Sequence, residues 1–432
     1  MNANALGNVC DATLGTYLLV FPYPVDQDKL RWVEFDCLVQ MFSSSETIIT
    51  FHWFGGESYD NVFAIVETND VDLLRKVASR SVLLKHIYLL LAQGETPEQC
   101  AAAISSSCPE LIQLQQGVGS FRLDIDTFGM KMTPAEKQAM REIFLPKLGI
   151  TAPVSLSNPT VTLSVWMNGT HYGKAFQPQC WFCLHIVSCL EGPRIVEKLS
   201  LKKRPFMSPT AMPPFQAAIM ANCAQIRKGC FSWDTFCGSG SIILMCAEMG
   251  AIVIGSDMDW RYFKTGLSNA KKGGSKEATL RGNFVHYGLP QPLLVRADIG
   301  HLPFGHFKVD AIVCDPPYGI RAGTLDTSDS GRQELLQIIA LLLEAAAKHL
   351  RIGGRLVFWQ PTTEYGEFSD EVKHPVLRLL YAPLERIHDS WSRRLVVMVK
   401  VEEYVEGMTA VLPKKSVFKR PETESKRQRT GE

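Results

Sequence analysis

The run Ala311-Ile312-Val313-Cys314-Asp315-Pro316-Pro317-Tyr318-Gly319 constrains the fold of this chain more than any other stretch. Its four apolar residues predict a buried strand. Proline has no N–H to give to a sheet ladder, so the chain must leave the sheet at that strand's carboxyl end. In open α/β sheets that end is where ligands bind. The turn therefore brings a carboxylate, a rigid Pro316-Pro317 backbone and an aromatic face into one crevice. The Asp315 side chain and the Pro316 carbonyl are neighbouring acceptors, matched to the two hydrogens of an exocyclic amino group. Tyr318 offers its face to a planar base, where stacking is worth ~1–3 kcal/mol.

Three strands upstream end in a consistent way. The strand over 230–233 runs into Asp234-Thr235-Phe236-Cys237-Gly238-Ser239-Gly240-Ser241 and then a helix over 242–249. Glycines let a ligand approach the backbone there, and the helix start supplies N–H donors. The next strand, from Ala251, ends at Asp257 and Asp259, an acid placed to hold ribose hydroxyls. A third, over 293–296, ends at Ala297-Asp298-Ile299, which suits the amino group and ring face of an adenine. With Thr210 upstream, the candidate cofactor residues are Thr210, Asp234, Phe236, Gly238, Gly240, Asp257, Asp298 and Ile299. A dinucleotide accounts for the first two strand ends but not for Asp315-Pro316-Pro317-Tyr318. A cofactor with a ribose, an adenine and a transferable methyl accounts for all four, which points to S-adenosyl-L-methionine.

The chain has 432 residues, enough for two or three domains. Its net charge of +1 means that any nucleic-acid contact depends on local basic patches. No apolar run reaches membrane-spanning length, and the start lacks a leader pattern, so a cytoplasmic protein is expected. Scattered cysteines in apolar runs (Cys37, Cys223, Cys230, Cys246, Cys314) read as reduced, buried thiols. Residues 1–190 read as an α+β region with helix starts at Asp70, Thr96 and Thr133. The segment 80–91 reads as either a strand or a buried helix. Cys180, Cys183, His185 and Cys189 have the residue types of a zinc site, but on a strand Cys180 and Cys183 face opposite ways, so no metal is assigned. A basic linker, 191–208, carries Arg194, Lys202, Lys203 and Arg204, read as phosphate contacts or as a solvated connector. A helix is expected from Ser208 to Ile226. Residues 209–405 form the α/β domain, in which 321–331 is a candidate lid. A tail, 406–432, is expected to be disordered.

Together these motifs resemble the THUMP-containing tRNA guanine-10 N2-methyltransferases in their eukaryotic form. The resemblance rests on Leu201-Lys202-Lys203-Arg204, Pro209-Thr210-Ala211-Met212, Met220-Ala221-Asn222, Asn283-Phe284, Tyr287-Gly288-Leu289 and, most specifically, Asp315 to Arg321. Upstream, Arg80-Ser81-Val82 and the stretch Phe121 to Phe128 resemble the ferredoxin-like and THUMP region. Pro213 and Thr235 depart from the pattern, which usually has an acid and a proline there. The resemblance implies a C-terminal Rossmann-like methyltransferase domain behind an N-terminal tRNA-binding region. It implies tRNA as substrate, with Arg321 and the linker cations on its backbone, and a small zinc-binding activator subunit as partner. Asp315 and Pro316 would carry the transfer, with Pro317 and Tyr318 shaping the base site. Two rivals remain open on sequence: another amino-methyltransferase, acting on adenine N6 or a protein amide, and a non-catalytic tRNA scaffold.

Overall fold

A computed structural model describes residues 14–21, 28–53, 62–104, 108–169, 180–264, 278–303, 305, 307–318, 320–321, 324–325, 329–362, 372–388 and 391–412. It divides into two compact units whose chains interleave. The first comprises Met1–Val25 and Phe42–Glu191, the second Asp26–Met41 and Gly192–Glu432.

The first unit contains β1 (Gly15–Val20), β2 (Ile49–Trp53), β3 (Phe63–Thr68), α2 (Val71–Ala78), β4 (His86–Gly94), α3 (Pro97–Ala102), α4 (Pro109–Gln115), β5 (Phe121–Phe128), α5 (Pro134–Leu148), β6 (Val161–Asn168) and β7 (Cys180–Ser188); α1 (Asp28–Phe42) intervenes after β1. Its strands form one seven-stranded sheet in the order β2-β3-β1-β4-β7-β6-β5. Only β5 and β6 run parallel among these pairs. The helix starts follow from local chemistry. Asp70 Oδ1 accepts from Leu73 N at 2.8 Å, and Thr133 and Glu136 close a reciprocal capping box ahead of Pro134. The segment 80–91 resolves as a loop followed by β4. Cys180 packs with Phe182 in one apolar cluster and Cys183 with Trp181 in another, as alternation along a strand requires.

The second unit contains α1, α6 (Glu191–Lys198), α7 (Pro214–Cys223), β8 (Phe231–Asp234), α8 (Ser241–Glu248), β9 (Ile252–Asp257), α9 (Arg261–Lys264), α10 (Leu280–His286), β10 (Leu293–Arg296), β11 (Val309–Cys314), β12 (Ile320–Arg321), β13 (Thr324–Leu325), α11 (Asp329–His349), β14 (Leu350–Thr362), β15 (Leu377–Tyr381), β16 (Leu384–His388) and β17 (Trp391–Lys400). Its sheet order is β10-β9-β8-β11-β14-β17-β15, with β16 paired to β17. The strands from β10 to β14 are parallel, and β17 is antiparallel to its neighbours. This is a doubly wound α/β sheet. After β8 the chain builds outward through β9 and β10, then returns to place β11 on the other side of β8.

Three boundaries differ from those expected. First, α1 belongs to the second unit, not to the N-terminal region. It is covered on most sides, with Leu30, Cys37 and Leu38 fully buried and the polar Arg31 and Glu34 buried with them. Asn222 Nδ2 donates to Glu34 Oε1 at 2.7 Å, Gln225 Nε2 to the Cys37 carbonyl at 3.0 Å, and Arg355 Nη2 to Gln40 Oε1 at 2.6 Å. Second, the expected linker is folded: α6 is followed by a 3₁₀ turn over Leu201–Lys203. Helix α7 starts only at Pro214, because Pro213 is held extended at φ −60°, ψ 143° and proline fits a helix only in its first turn. Third, the chain beyond 405 is still ordered at first, with Lys373 and Val411 bridged through their backbones; residues 413–432 lie outside the described residues.

Candidate active site

Strand order reverses between β8 and β11, and a crevice forms at the carboxyl ends of strands wherever neighbouring connections depart in opposite directions. A cavity of about 850 Å³ occupies that place. All of the candidate cofactor residues except Gly240 line it, as do all four residues of the Asp315–Tyr318 turn.

The glycine turn is shaped by the acid of the next strand. Asp257 Oδ2 accepts from Gly238 N at 2.8 Å, and Oδ1 accepts from Asp259 N at 2.8 Å. Burial raises the Asp257 pKa, while these N–H bonds oppose the shift. Gly240 stands behind the lining as the residue before α8, with φ +80°. A Cβ there would meet Leu280 Cδ1 at 2.9 Å, so both the backbone and the space call for glycine. Asp234 is buried and accepts from Phe236 N at 3.0 Å. Burial pushes its carboxyl well above the usual range, aided by the charges of Asp257 and Asp315. Asp298 is exposed instead. His301 Nδ1 lies 3.0 Å from Asp298 Oδ2, and this contact, with the N–H of Gly300, holds its pKa down.

Across the cavity, the Tyr318 phenol donates to Asp315 Oδ1 at 2.6 Å. Burial raises Asp315 to about 6, against the lowering effects of Tyr318 and Arg393. Arg393, on β17, reaches the same phenol from Nη1 at 3.3 Å. A carboxylate poised near neutrality beside an aromatic ring, opposite a glycine turn and two acids, can accept from an amino group and take a proton from it.

The cations expected to contact tRNA separate. Arg194, Lys202 and Lys203 are exposed, and Lys203 pairs with Glu197 at 2.6 Å. Arg204, expected among them, is instead 8% exposed. Its Nη1 donates to Ser241 Oγ at 2.7 Å and its Nε to the Leu199 carbonyl at 3.0 Å, which ties the turn to the start of α8. Burial lowers its pKa to about 10. Arg321 lies in β12, paired through its backbone with Thr324; its side chain, with 322–323 and 326–328 of the expected lid, lies outside the described residues.

Sequence reasoning missed Ser208, Met212, Met258 and Ile338 in the lining, and Arg393 and Glu385 behind it. Met258 follows directly on Asp257 and was within reach of the strand-end argument. Ile338 comes from the middle of α11, and nothing local marks it.

Residues 202–369 match the family profile of the RMKL-like methyltransferase domain, and residues 27–187 that of the Tmrp11 THUMP N-terminal domain. The tRNA (guanine(10)-N(2))-methyltransferase TRMT11 of Dictyostelium discoideum is 28% identical over 383 residues, 80% of this chain and 74% of its own. Its Homo sapiens counterpart is 29% identical over 437 residues, covering 91% of this chain and 89% of that one. The crystal structure of TrmN from Thermus thermophilus aligns with 89% of this chain and 100% of its own, at 20% identity and a TM-score of 0.42.

Proposed function

We infer, because this chain belongs to the family of THUMP-containing tRNA (guanine-10) N2-methyltransferases, that it moves a methyl group from S-adenosyl-L-methionine to the exocyclic N2 of guanosine at position 10 of tRNA. The observation that carries the reading is the Asp315–Tyr318 turn at the carboxyl end of β11, on the wall of the same cavity as the Asp257-braced glycine turn.

The residues fit the cofactor by chemistry. Asp257 is an acceptor for ribose hydroxyls, Asp298 for an adenine amino group, and Ile299 offers it an apolar face. When bound, S-adenosyl-L-methionine supplies an electrophilic methyl on a sulfonium. The protein's part is to prepare the nucleophile. A guanine amino group is weakly nucleophilic because its lone pair is delocalised into the ring. Asp315 and the Pro316 carbonyl accept its two hydrogens and favour a pyramidal nitrogen, and they stabilise the positive charge that grows there. Asp315 would take the surplus proton from N2 during the transfer, and its pKa of about 6 suits it to receive and release protons near neutral pH. The target base must first leave its helical stack, and Tyr318 gives it a ring to lie against.

The THUMP-containing unit grips the tRNA, and Arg194, Lys202, Lys203 and Arg321 add backbone contacts. A small zinc-binding activator subunit completes the enzyme, as the family resemblance implies. Among the described residues no helix is long and apolar enough to cross a membrane. The cysteines of the described residues are free and buried, which suits a reducing compartment such as the cytoplasm.

The test is methyl transfer from labelled cofactor to unmodified tRNA transcripts, with and without an activator subunit, followed by mass spectrometry of the nucleosides. N2-methylguanosine at position 10 is the expected product. Methylated adenosine would overturn the base assignment, and cofactor binding without any transfer to tRNA would overturn the substrate.

A further inference from the structure

Arg393 belongs to none of the motifs that mark the site, yet it is built into the wall behind Asp315. It lies on β17, paired in register with Glu385 of β16 and Pro361 of β14. Its Nε donates to Glu385 Oε2, and the two side chains are 13% and 6% exposed. Its guanidinium carbon lies 4.0 Å from the ring centre of Trp359 on β14, a fully buried side chain. A planar cation held by a carboxylate at one edge and an aromatic face beneath has little freedom left. The remaining edge points Nη1 at the Tyr318 phenol.

We propose that Arg393 is a positioning residue for the methyl transfer, holding the Tyr318 phenol against Asp315 and keeping that carboxylate ready to accept. This rests on the reading of the site given above.

The direction of the hydrogen bonds carries the argument. Arginine has donors and no acceptor, so the Tyr318 oxygen can only accept from Arg393. The phenol's single proton then goes to Asp315 Oδ1, where it lies at 2.6 Å. The relay Arg393 to Tyr318 to Asp315 is thus one-way and favours the ionised carboxylate. It opposes the burial that favours the neutral acid. When a substrate amino group competes for Asp315, Arg393 still grips the phenol and keeps the ring in its place. The other groups acting on Asp315 or acted on by it are Glu385, whose charge works against ionisation, buried Asp234 at the end of β8, and Cys314 beside it.

The experiment measures single-turnover methyl transfer by the full chain from pH 5 to 9. It uses unmodified tRNA, with a relative's activator subunit present, and compares wild type, Arg393→Gln, Arg393→Lys and Tyr318→Phe. Arg393→Gln is expected to move the acid limb of the rate profile upward by about one pH unit, the scale of losing a nearby opposite charge. Tyr318→Phe should move it in the same direction, and Arg393→Lys should leave it near the wild-type position. Cofactor titration at pH 7.5 serves as the folding control, with affinities expected within about twofold of wild type, since no cofactor contact is removed. A slower Arg393→Gln enzyme whose limb stays in place, with Tyr318→Phe unmoved as well, would reduce Arg393 to a structural residue and overturn the inference alone. A wild type that binds cofactor but transfers nothing to tRNA would overturn the functional reading and this inference with it.

Discussion

Asp257 and Gly238 lie on separate strand ends, and one bond locks them together: the carboxylate Oδ2 accepts the glycine N–H at 2.8 Å. The acid proposed to hold a ribose therefore also shapes the glycine turn beside it. Asp257→Ala removes both effects. Two hydrogen bonds to a charged group are worth roughly 1.5–3 kcal/mol each, so cofactor affinity should fall by about 100-fold or more. Asp257→Asn keeps an acceptor and should lose less. Calorimetric titration with cofactor separates the two; equal affinities for wild type and Asp257→Ala would remove Asp257 from the ribose site.

The poise of Asp315 has a cost in stability with a definite sign. Its folded pKa of about 6 lies above the ordinary carboxylate value, so between about pH 4 and 6 the folded chain holds the proton more tightly than the unfolded one. Stability from this group is therefore full at low pH and is lost as pH rises through 6. Asp315→Asn cannot ionise, so at pH 7 it should be more stable than wild type by roughly 1–3 kcal/mol, with no difference at pH 4. Denaturant melts at both pH values provide the check, while turnover of the variant should vanish.

Glu34 and Asn222 are both fully buried and meet across 188 positions of sequence at 2.7 Å. Asn222→Ala removes a donor from a buried carboxylate, which should cost roughly 1–3 kcal/mol. A fragment starting at residue 192 loses α1 altogether and uncovers its apolar seat. It should aggregate or melt without cooperativity. A sharp transition matching that of the full chain would show that α1 is dispensable.

Neighbouring cations at 202 and 204 should behave in opposite ways. Lys202 is exposed, so Lys202→Ala should weaken tRNA binding across sequences and reduce the salt slope by about one ion, with stability unchanged. Arg204→Ala should lower the melting temperature, because the Ser241 and Leu199 bonds go with it. Filter binding at several salt concentrations, paired with thermal melts, distinguishes the two.

Much of this site could be read before its structure, for a physical reason. In a parallel sheet each strand contributes its own carboxyl end to the crevice, so Asp234, Asp257, Asp298 and Asp315 announce themselves one strand at a time. Local chemistry also fixed the starts at Asp70 and Thr133, where cap and helix are sequence neighbours. The parts that escaped are those decided across distance. The pattern of α1 says that it is buried but not against what. Arg204 has the look of its basic neighbours until Ser241, 37 residues on, claims its guanidinium. Arg393 meets Tyr318 only because antiparallel β17 closes the sheet, 75 residues after the turn it supports.

The interleaving of the two units sets a timetable for synthesis. Helix α1 leaves the ribosome early, but its partner Asn222 follows 188 residues later. At ~5–20 residues per second that is a wait of roughly 10–40 s, during which the whole THUMP-containing region emerges and can fold. The helix spends that interval without α7 and β14, which supply its partners Asn222 and Arg355. The catalytic unit therefore cannot close around its earliest piece until the chain past Arg355 has been made.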